Sequence, residues 1–181
     1  MPTWNSRGLR GASLEELINV TNDKYREKKL ALVQKIPTPI KPIKIDKETR
    51  HITLAYFDQK STVDYIGIAQ GYAIAFDAKE CAKDTFPLAN IHPHQVQFMK
   101  EFEDQKGISF LILYFSRRDV YYYLRYFEMQ LFFQRVKEGS AKQFRFDELN
   151  PEYIIERKGL YLCYLDCLNK DLMERSIISE S

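Results

Sequence analysis

Four polar side chains suited to metal-assisted chemistry lie within one short segment. The segment 61–79 places Gln70-Gly71 midway between two aspartates and contains Thr62, Asp64, Asp77 and Lys79. If Gln70-Gly71 is a two-residue hairpin turn, Asp64 lies opposite Asp77, and Thr62 lies opposite Lys79. Opposed side chains on one face are about 4.5–5.5 Å apart at Cβ. The spacing therefore predicts two carboxylates, a hydroxyl and an ammonium at the open end of one hairpin.

Facing carboxylates repel each other, and a divalent cation between them would turn this repulsion into attraction. Mg²⁺ suits such a pair because it binds one or two carboxylates, keeps several waters and accepts phosphate oxygens from a substrate; Mn²⁺ is a possible substitute. Lys79 could orient or deprotonate a water, or stabilise charge on the phosphate. The residues also fit a second interpretation, a surface salt bridge between Lys79 and either aspartate.

A glutamine is the next candidate for the site. Pro93 suits the first turn of a helix that runs to about Gln105 and is ended by Gly107. One face of this helix carries Gln95, Phe98, Met99 and Phe102. A buried amide needs partners, which metal-bound water, a phosphate or the backbone could each supply. His92 and His94 flank Pro93 and are expected to diverge, so they are not expected to bind a metal.

The surrounding elements mix helices and strands around one sheet, which predicts an α/β or α+β class. Ser13 and Glu16 form a capping box at the start of the first helix, and Ile108–Phe115 is typical of a central strand covered on both faces. The remaining predictions are strands at 30–36, 65–70, 72–78 and 120–126, a hairpin at 40–57 with a polar tip at 46–50, and helices at 127–137 and near 160–173.

Composition restricts the class of protein. Hydrophobic residues make up 45% of the 181 residues, which argues against disorder, and the apolar stretches are too short to span a bilayer. No charged-then-apolar leader is visible, which argues against secretion. Three cysteines, Cys81, Cys163 and Cys167, are expected to be reduced thiols rather than metal ligands.

The basic residues are concentrated near the N-terminus. The net charge is only +2, but the first 50 residues carry 11 Lys/Arg against 6 Asp/Glu. This excess permits an arm that binds a polyanion, and it equally fits a solvated basic helix face followed by a tail.

Several motifs resemble the RecU family of Holliday junction resolvases, within the PD-(D/E)xK, restriction-endonuclease-like nucleases. The most specific are Pro37-Thr38-Pro39, Ser61-Thr62-Val63-Asp64-Tyr65 and His92-Pro93-His94-Gln95. The other matching motifs, in order over about residues 5–125, are Ser6-Arg7-Gly8, Leu14-Glu15-Glu16-Leu17-Ile18-Asn19, Thr21-Asn22, Lys35-Ile36 directly before Pro37, Ala55-Tyr56-Phe57, Phe76-Asp77-Ala78-Lys79-Glu80, Phe86-Pro87-Leu88-Ala89-Asn90-Ile91 directly before His92, and Gly107-Ile108-Ser109-Phe110.

The resemblance implies a fold, a metal site and a substrate. The fold is a mixed sheet flanked by helices, with a protruding β-hairpin stalk at about 40–60, in a single nuclease domain (13–181) that follows a flexible arm (1–12). The implied Mg²⁺ ligands are Thr62, Asp64, Asp77 and Gln95, and Lys79 stabilises the transition state. The candidate DNA-binding residues are Arg7, Arg10, Lys35, Lys41, Lys44, Lys47 and Arg50. Asp77 departs from the family, which usually has glutamate there.

The function expected from these residues is that of an endonuclease that acts as a homodimer and resolves four-way junctions by paired symmetric nicks. A recombinase is a possible further partner, no membrane is involved, and the location is the cytoplasm of a bacterium or phage host. Two alternatives remain. One is a junction-binding or recombinase-regulating protein of the same fold that cuts poorly because of Asp77; the other is a nuclease for another branched or damaged DNA.

Overall fold

The computed structural model describes residues 13–57 and 62–180, with side chains described as far as residue 176. The helices are α1 Leu14–Glu27, α2 Pro93–Asp104, α3 Tyr126–Lys137 and α4 Tyr164–Glu180. The strands are β1 Ala31–Lys35, β2 Ile40–Ile45, β3 Ile52–Phe57, β4 Tyr65–Ala69, β5 Tyr72–Cys81, β6 Thr85–Pro87, β7 Ile108–Phe115, β8 Val120–Arg125, β9 Gln143–Arg145, β10 Ile154–Ile155, β11 Arg157–Lys158 and β12 Tyr161–Leu162. Three short 3₁₀ turns lie at 88–90, 146–148 and 151–153.

Six strands form one mixed sheet in the order β1-β4-β5-β7-β8-β10. β5 and β7 pair in parallel, and the other neighbours pair antiparallel. A parallel pair needs a crossover connection, and here α2 supplies it between β5 and β7. β7 is buried almost throughout, as its sequence without polar alternation predicts. The predicted mixed sheet flanked by helices is confirmed.

A row of aromatic rings crosses four adjacent strands on one face of the sheet. Tyr65 stacks on Phe76 with ring centroids 4.8 Å apart, Phe76 on Phe110 at 4.7 Å, and Phe110 on Tyr123 at 4.2 Å. All four side chains are fully buried. Successive residues of a strand point to opposite faces. The residues next to Tyr65 and Phe76 in the chain therefore point to the face opposite the aromatic row.

Helices cover both faces. The Tyr65 hydroxyl donates to Asn19 of α1 at 3.0 Å, and Tyr164 of α4 lies 5.4 Å from the Phe76 ring, so these two helices cover the aromatic row. On the opposite face, the Ser109 hydroxyl donates to a carbonyl of α2 at 3.3 Å. The described residues include no helix long and apolar enough to cross a membrane.

The hairpin β2–β3 stands away from the sheet. Its strands pair only with each other among the described residues, and Ala55 alone is partly buried in them. At six residues per strand, the arms are about 20 Å long. The tip is closed locally, since Asp46 Oδ1 accepts hydrogen bonds from the backbone N–H of Glu48 and Thr49. The predicted projecting hairpin is confirmed, whereas residues 1–12 and 58–61 lie outside the described residues.

Two local predictions were wrong. The last helix begins at Tyr164, not near residue 160, because residues 157–162 form the short β11–β12 hairpin around Gly159, which has φ +65°. Gly107 does not supply the left-handed residue after α2, since Lys106 does so with φ +67°. Glycine is required at 107 for space, because a Cβ there would lie 2.3 Å from the Phe102 ring.

Candidate active site

The candidate site depends on the register of the β4–β5 hairpin. Ala69 pairs with Tyr72, and the pairs continue outward to Tyr65 with Phe76, as predicted from a turn at Gln70-Gly71. Both turn residues have positive φ, +49° and +92°, as a type I′ turn requires. Gln70 is not a common residue in this conformation, but its side-chain amide donates to the carbonyls of Lys29 and Leu30 at 3.1 and 3.0 Å.

The two aspartates lie together just beyond the last pair of this ladder. The backbone N–H of Asp64 donates to Asp77 Oδ1 at 3.2 Å, and that of Ala78 donates to Asp64 Oδ2 at 3.0 Å. Each carboxylate therefore accepts a hydrogen bond from the other strand. Asp64 is half-buried, while Asp77 has no exposed surface. The two carboxylates thus form the predicted pair at the open end of the hairpin.

Lys79 and Gln95 complete the surroundings of Asp77. Lys79 Nζ lies 2.6 Å from Asp77 Oδ2, and Gln95 Nε2 donates to Asp77 Oδ1 at 2.8 Å. Gln95 is in the first turn of α2, where its Oε1 accepts a hydrogen bond from the His92 N–H at 3.2 Å. The crossover helix therefore brings a side chain from outside the hairpin to the carboxylate pair.

Burial is the main electrostatic feature of the site. It raises the pKa of Asp77, and the negative charge of Asp64 raises it further, while Lys79 acts in the opposite direction. The buried Asp77 Oδ2 is paired with the Lys79 ammonium at 2.6 Å and has no other polar partner among the described residues. Lys79 balances only one of the two adjacent carboxylates, so the pair keeps an excess negative charge that a further cation would neutralise.

The chemistry of these donors fits a hard divalent cation. Two carboxylates, an amide and a hydroxyl offer only oxygen ligands, which Mg²⁺ and Mn²⁺ prefer. Thr62 is half-buried and precedes Asp64 by two residues. The charge that the cation would balance is that of the two adjacent carboxylates, which have only the Lys79 ammonium beside them.

The two histidines do not diverge as predicted. Their rings stack with centroids 5.5 Å apart and an interplanar angle of 10°. The reason is that His92 is the extended N-cap residue of α2, so its side chain does not follow the helical rotation that would separate positions 92 and 94.

The candidate DNA-binding residues do not lie together in the structure. Arg7 and Arg10 lie outside the described residues. Lys35 forms an ion pair with Glu15 of α1, close to the site. The other four are exposed on the projecting hairpin rather than beside the carboxylates: Lys41, Lys44, Lys47 and Arg50.

Sequence reasoning missed Glu15. With Lys35, Pro37, Thr38 and Asp64 it lines a recess of about 450 Å³ that opens beside the carboxylate pair. The acidic side chain in the first turn of α1 was visible in the sequence, but its approach to Asp64 depends on how α1 packs against β1 and β4.

A second group of potential metal ligands lies away from the two aspartates. The ligand atoms of Glu156, Cys163 and Asp166 lie within 4.8 Å of one another. Glu156 also pairs with Lys158 at 3.1 Å, and burial raises the pKa of the Cys163 thiol. These features favour a protonated thiol and an internal ion pair over metal binding. Cys81, Cys163 and Cys167 are all buried.

Comparisons with known proteins agree with the motifs of this site. The family model described as "RecU: Recombination protein U" matches residues 9–170. The "Holliday junction resolvase RecU" of Staphylococcus aureus strain JH9 is 39% identical over 175 residues, which cover 93% of this chain and 84% of the relative. The protein of the same name from strain Mu50 / ATCC 700699 gives the same values.

A solved structure of Archaeoglobus fulgidus Hjc, described as a Holliday junction resolvase from an archaeal hyperthermophile, is also similar. Its TM-score is 0.38 at 10% identity, and the match covers 72% of this chain and 80% of that chain.

Proposed function

Because this chain belongs to the RecU family, we propose that it is a Mg²⁺-dependent endonuclease that resolves four-way DNA junctions. The observation that carries this proposal is the fully buried Asp77, which lies beside Asp64 and has a single ammonium, that of Lys79, to balance the two carboxylates. A carboxylate pair kept so close together is costly without a cation, and its position beside an open recess leaves room for a phosphate.

The residues that would hold Mg²⁺ are Asp64 and Asp77, together with Thr62 and Gln95. When bound, Mg²⁺ would supply a Lewis acid for the phosphate and acidify the attacking water. Gln95 presents its nitrogen to Asp77 and its oxygen to the His92 N–H. Only the amide oxygen can bind a cation, so Gln95 would turn its amide and give up the bond to His92.

Lys79 would act on the phosphodiester. The Lys79 side chain is only 19% exposed, and its ammonium lies 2.6 Å from Asp77. This contact keeps the ammonium at one edge of the site. An ammonium fixed in this way needs no reorganisation as negative charge develops on the phosphate oxygens. Lys79 would therefore stabilise the transition state more than it strengthens substrate binding.

A homodimer would let two such sites cut the two strands of a junction. A two-fold dimer matches the two-fold symmetry of a four-way junction. The projecting hairpin supports self-association, because its two strands expose an unusual set of large apolar side chains for a soluble surface. These are Ile40, Ile43, Ile45, Ile52, Leu54, Tyr56 and Phe57, each about half exposed or more.

The hairpin would select the shape of the DNA. Its four basic side chains, Lys41, Lys44, Lys47 and Arg50, are offset by acidic neighbours such as Asp46 and Glu48, so bulk charge is a poor source of selectivity. A projecting element can enter the open centre of a junction but meets no such opening in a linear duplex. Lys35, Arg7 and Arg10 would contact phosphates, and a recombinase is a further candidate partner. The reaction would take place in the cytoplasm of a bacterium or phage host.

The decisive experiment is a nicking assay on four-way junctions. Purified protein should nick two opposing strands in Mg²⁺ or Mn²⁺ and be inactive in EDTA. A linear duplex and a three-way junction of matched sequence serve as substrate controls. Equal cutting of all three DNAs would favour a nuclease of other specificity, and no cutting with any divalent metal would contradict the proposal.

Asp77 supports a second candidate, a junction-binding protein that cuts poorly. The family usually has glutamate at this position, and aspartate holds its carboxylate one methylene further back. The Asp77→Glu variant separates the two candidates. A large gain in nicking rate with unchanged junction affinity would favour the binding protein, whereas an unchanged or lower rate, as expected for overpacking a fully buried site, supports the nuclease.

A further inference from the structure

A cavity of about 550 Å³ lies at the turn end of the β4–β5 hairpin. It is formed between the end of α1, the β11–β12 hairpin and the first turns of α4. Asp77 is five residues from Tyr72, which lines the cavity, and this spacing corresponds to about 17 Å along β5. The cavity is therefore separate from the carboxylate pair, and its size is typical of ligand sites.

The rim of the cavity is basic. Lys24, Lys28 and Lys158 line it with one acidic residue, Asp166, and Lys158 is paired with Glu156 at 3.1 Å, so Lys24 and Lys28 carry the basic charge of the rim. The ammonium groups of Lys24 and Lys28 lie 5.5 and 5.4 Å from the centroid of one ring, that of Tyr161. Like charges four residues apart on a helix repel each other, and the Tyr161 ring holds both groups at the cavity by cation–π attraction. An anion at this position would relieve the repulsion.

The floor of the cavity is apolar. Leu30, Leu165, Leu168 and Leu172 line it, and Leu30 is 37% exposed. A duplex backbone is convex and offers only phosphates and sugars, so it would satisfy the lysines but leave this floor unfilled. A peptide that carries carboxylates and one large apolar side chain satisfies both parts, because the side chain fills the floor while the carboxylates meet the lysines.

We infer that this cavity is a docking site for an acidic peptide segment of a partner protein, anchored by an apolar side chain. The nuclease would thereby bind a partner on one surface while the carboxylate pair, at the other end of the same hairpin, stays open to DNA. The inference does not depend on the proposed chemistry of Asp77, since none of its residues belongs to that site.

The test is fluorescence polarisation with a labelled peptide of sequence Asp-Asp-Glu-Leu-Phe. Two control peptides remove one feature each: Asp-Asp-Glu-Ser-Ser lacks the apolar anchor, and Lys-Lys-Arg-Leu-Phe reverses the charge. The test variants are Lys24→Gln/Lys28→Gln for the rim and Leu30→Ser for the floor. The matched control is Lys137→Gln/Lys142→Gln, which removes two exposed lysines elsewhere, one of them also in the last turn of a helix.

The acidic apolar peptide should bind the full chain at low salt, and both control peptides should bind at least about tenfold more weakly. The Lys24→Gln/Lys28→Gln and Leu30→Ser variants should each lose about fivefold or more in peptide affinity, while the control variant and the rate of junction nicking stay unchanged. Absence of binding up to about 1 mM peptide would overturn the inference. So would a Lys24→Gln/Lys28→Gln variant that loses affinity for duplex DNA and keeps affinity for the peptide, because the lysines would then be a DNA contact.

Discussion

Replacing Asp77 with asparagine should abolish cutting and, without metal, stabilise the fold. Burial and the neighbouring Asp64 raise the pKa of Asp77 to about 7 from an ordinary value of 3.8. A difference of this size corresponds to at most roughly 4 kcal/mol of unfavourable free energy for ionising Asp77 in the folded chain. Asparagine removes that cost but leaves Lys79 without its ion-pair partner, which offsets part of the gain.

The net stabilisation expected at pH 8 in EDTA is therefore about 1–2 kcal/mol, or a Tm higher by roughly 4 °C. The pH dependence of this stabilisation follows from the pKa of Asp77, which is higher in the folded chain than in the unfolded chain. Well below pH 3.8 the carboxyl is protonated in both the folded and unfolded chains, so the aspartate has no ionisation cost. As the pH rises towards 7, the Asp77 carboxyl ionises in the unfolded chain but stays largely protonated in the folded chain. The parent therefore loses stability relative to the asparagine variant.

Thermal and urea unfolding of the parent and Asp77→Asn, at pH 5 and pH 8 and with and without Mg²⁺, measure this effect. Mg²⁺ should raise the Tm of the parent at pH 8 and have little effect on the variant. Gel-shift assays in Ca²⁺ or EDTA should show junction affinity within about threefold of the parent, because affinity comes mainly from phosphate contacts elsewhere. A variant that is less stable than the parent at pH 8 without metal, or that still cuts at the parent rate, would refute the reasoning.

Three further outcomes are expected. Asp64→Asn should also abolish nicking in Mg²⁺ while junction affinity is largely kept, and near-parent cutting would show that the metal assignment is wrong. Lys79→Ala should lower the single-turnover rate at saturating enzyme by about 10²-fold or more, whereas a defect that vanishes at high enzyme concentration would make Lys79 a DNA-binding residue only. Replacing residues 45–51 with a short Gly-containing turn should weaken junction binding at fixed salt and leave duplex binding unchanged; equal loss on both DNAs, or loss on neither, would contradict a role of the hairpin in shape selection.

Residue type and local spacing were sufficient to predict the parts of the site whose partners are near in the chain. The two-residue turn at Gln70-Gly71 sets the register of β4 and β5, and a period of two then places Asp64 beside Asp77. The capping box at Ser13 and Glu16 is likewise a contact between residues three apart. The projecting hairpin follows from a polar tip and from strands that can pair only with each other. In each case the partners are close in sequence, so residue type and spacing were sufficient.

Contacts between this hairpin and residues distant in sequence could not be predicted from local spacing, because they depend on how the elements pack. Gln95 reaches Asp77 because the crossover helix packs between β5 and β7, and no local pattern specifies that its nitrogen faces Oδ1. Glu15 of α1 lines the same recess as Asp64, and Gln95 of α2 contacts the fully buried Asp77. Burial and charge proximity together raise the pKa of Asp77. The proximity of Asp64 follows from the local hairpin, but burial, the larger effect, depends on residues far apart in the chain, so the electrostatics of the site follow from the fold as well as from the motif.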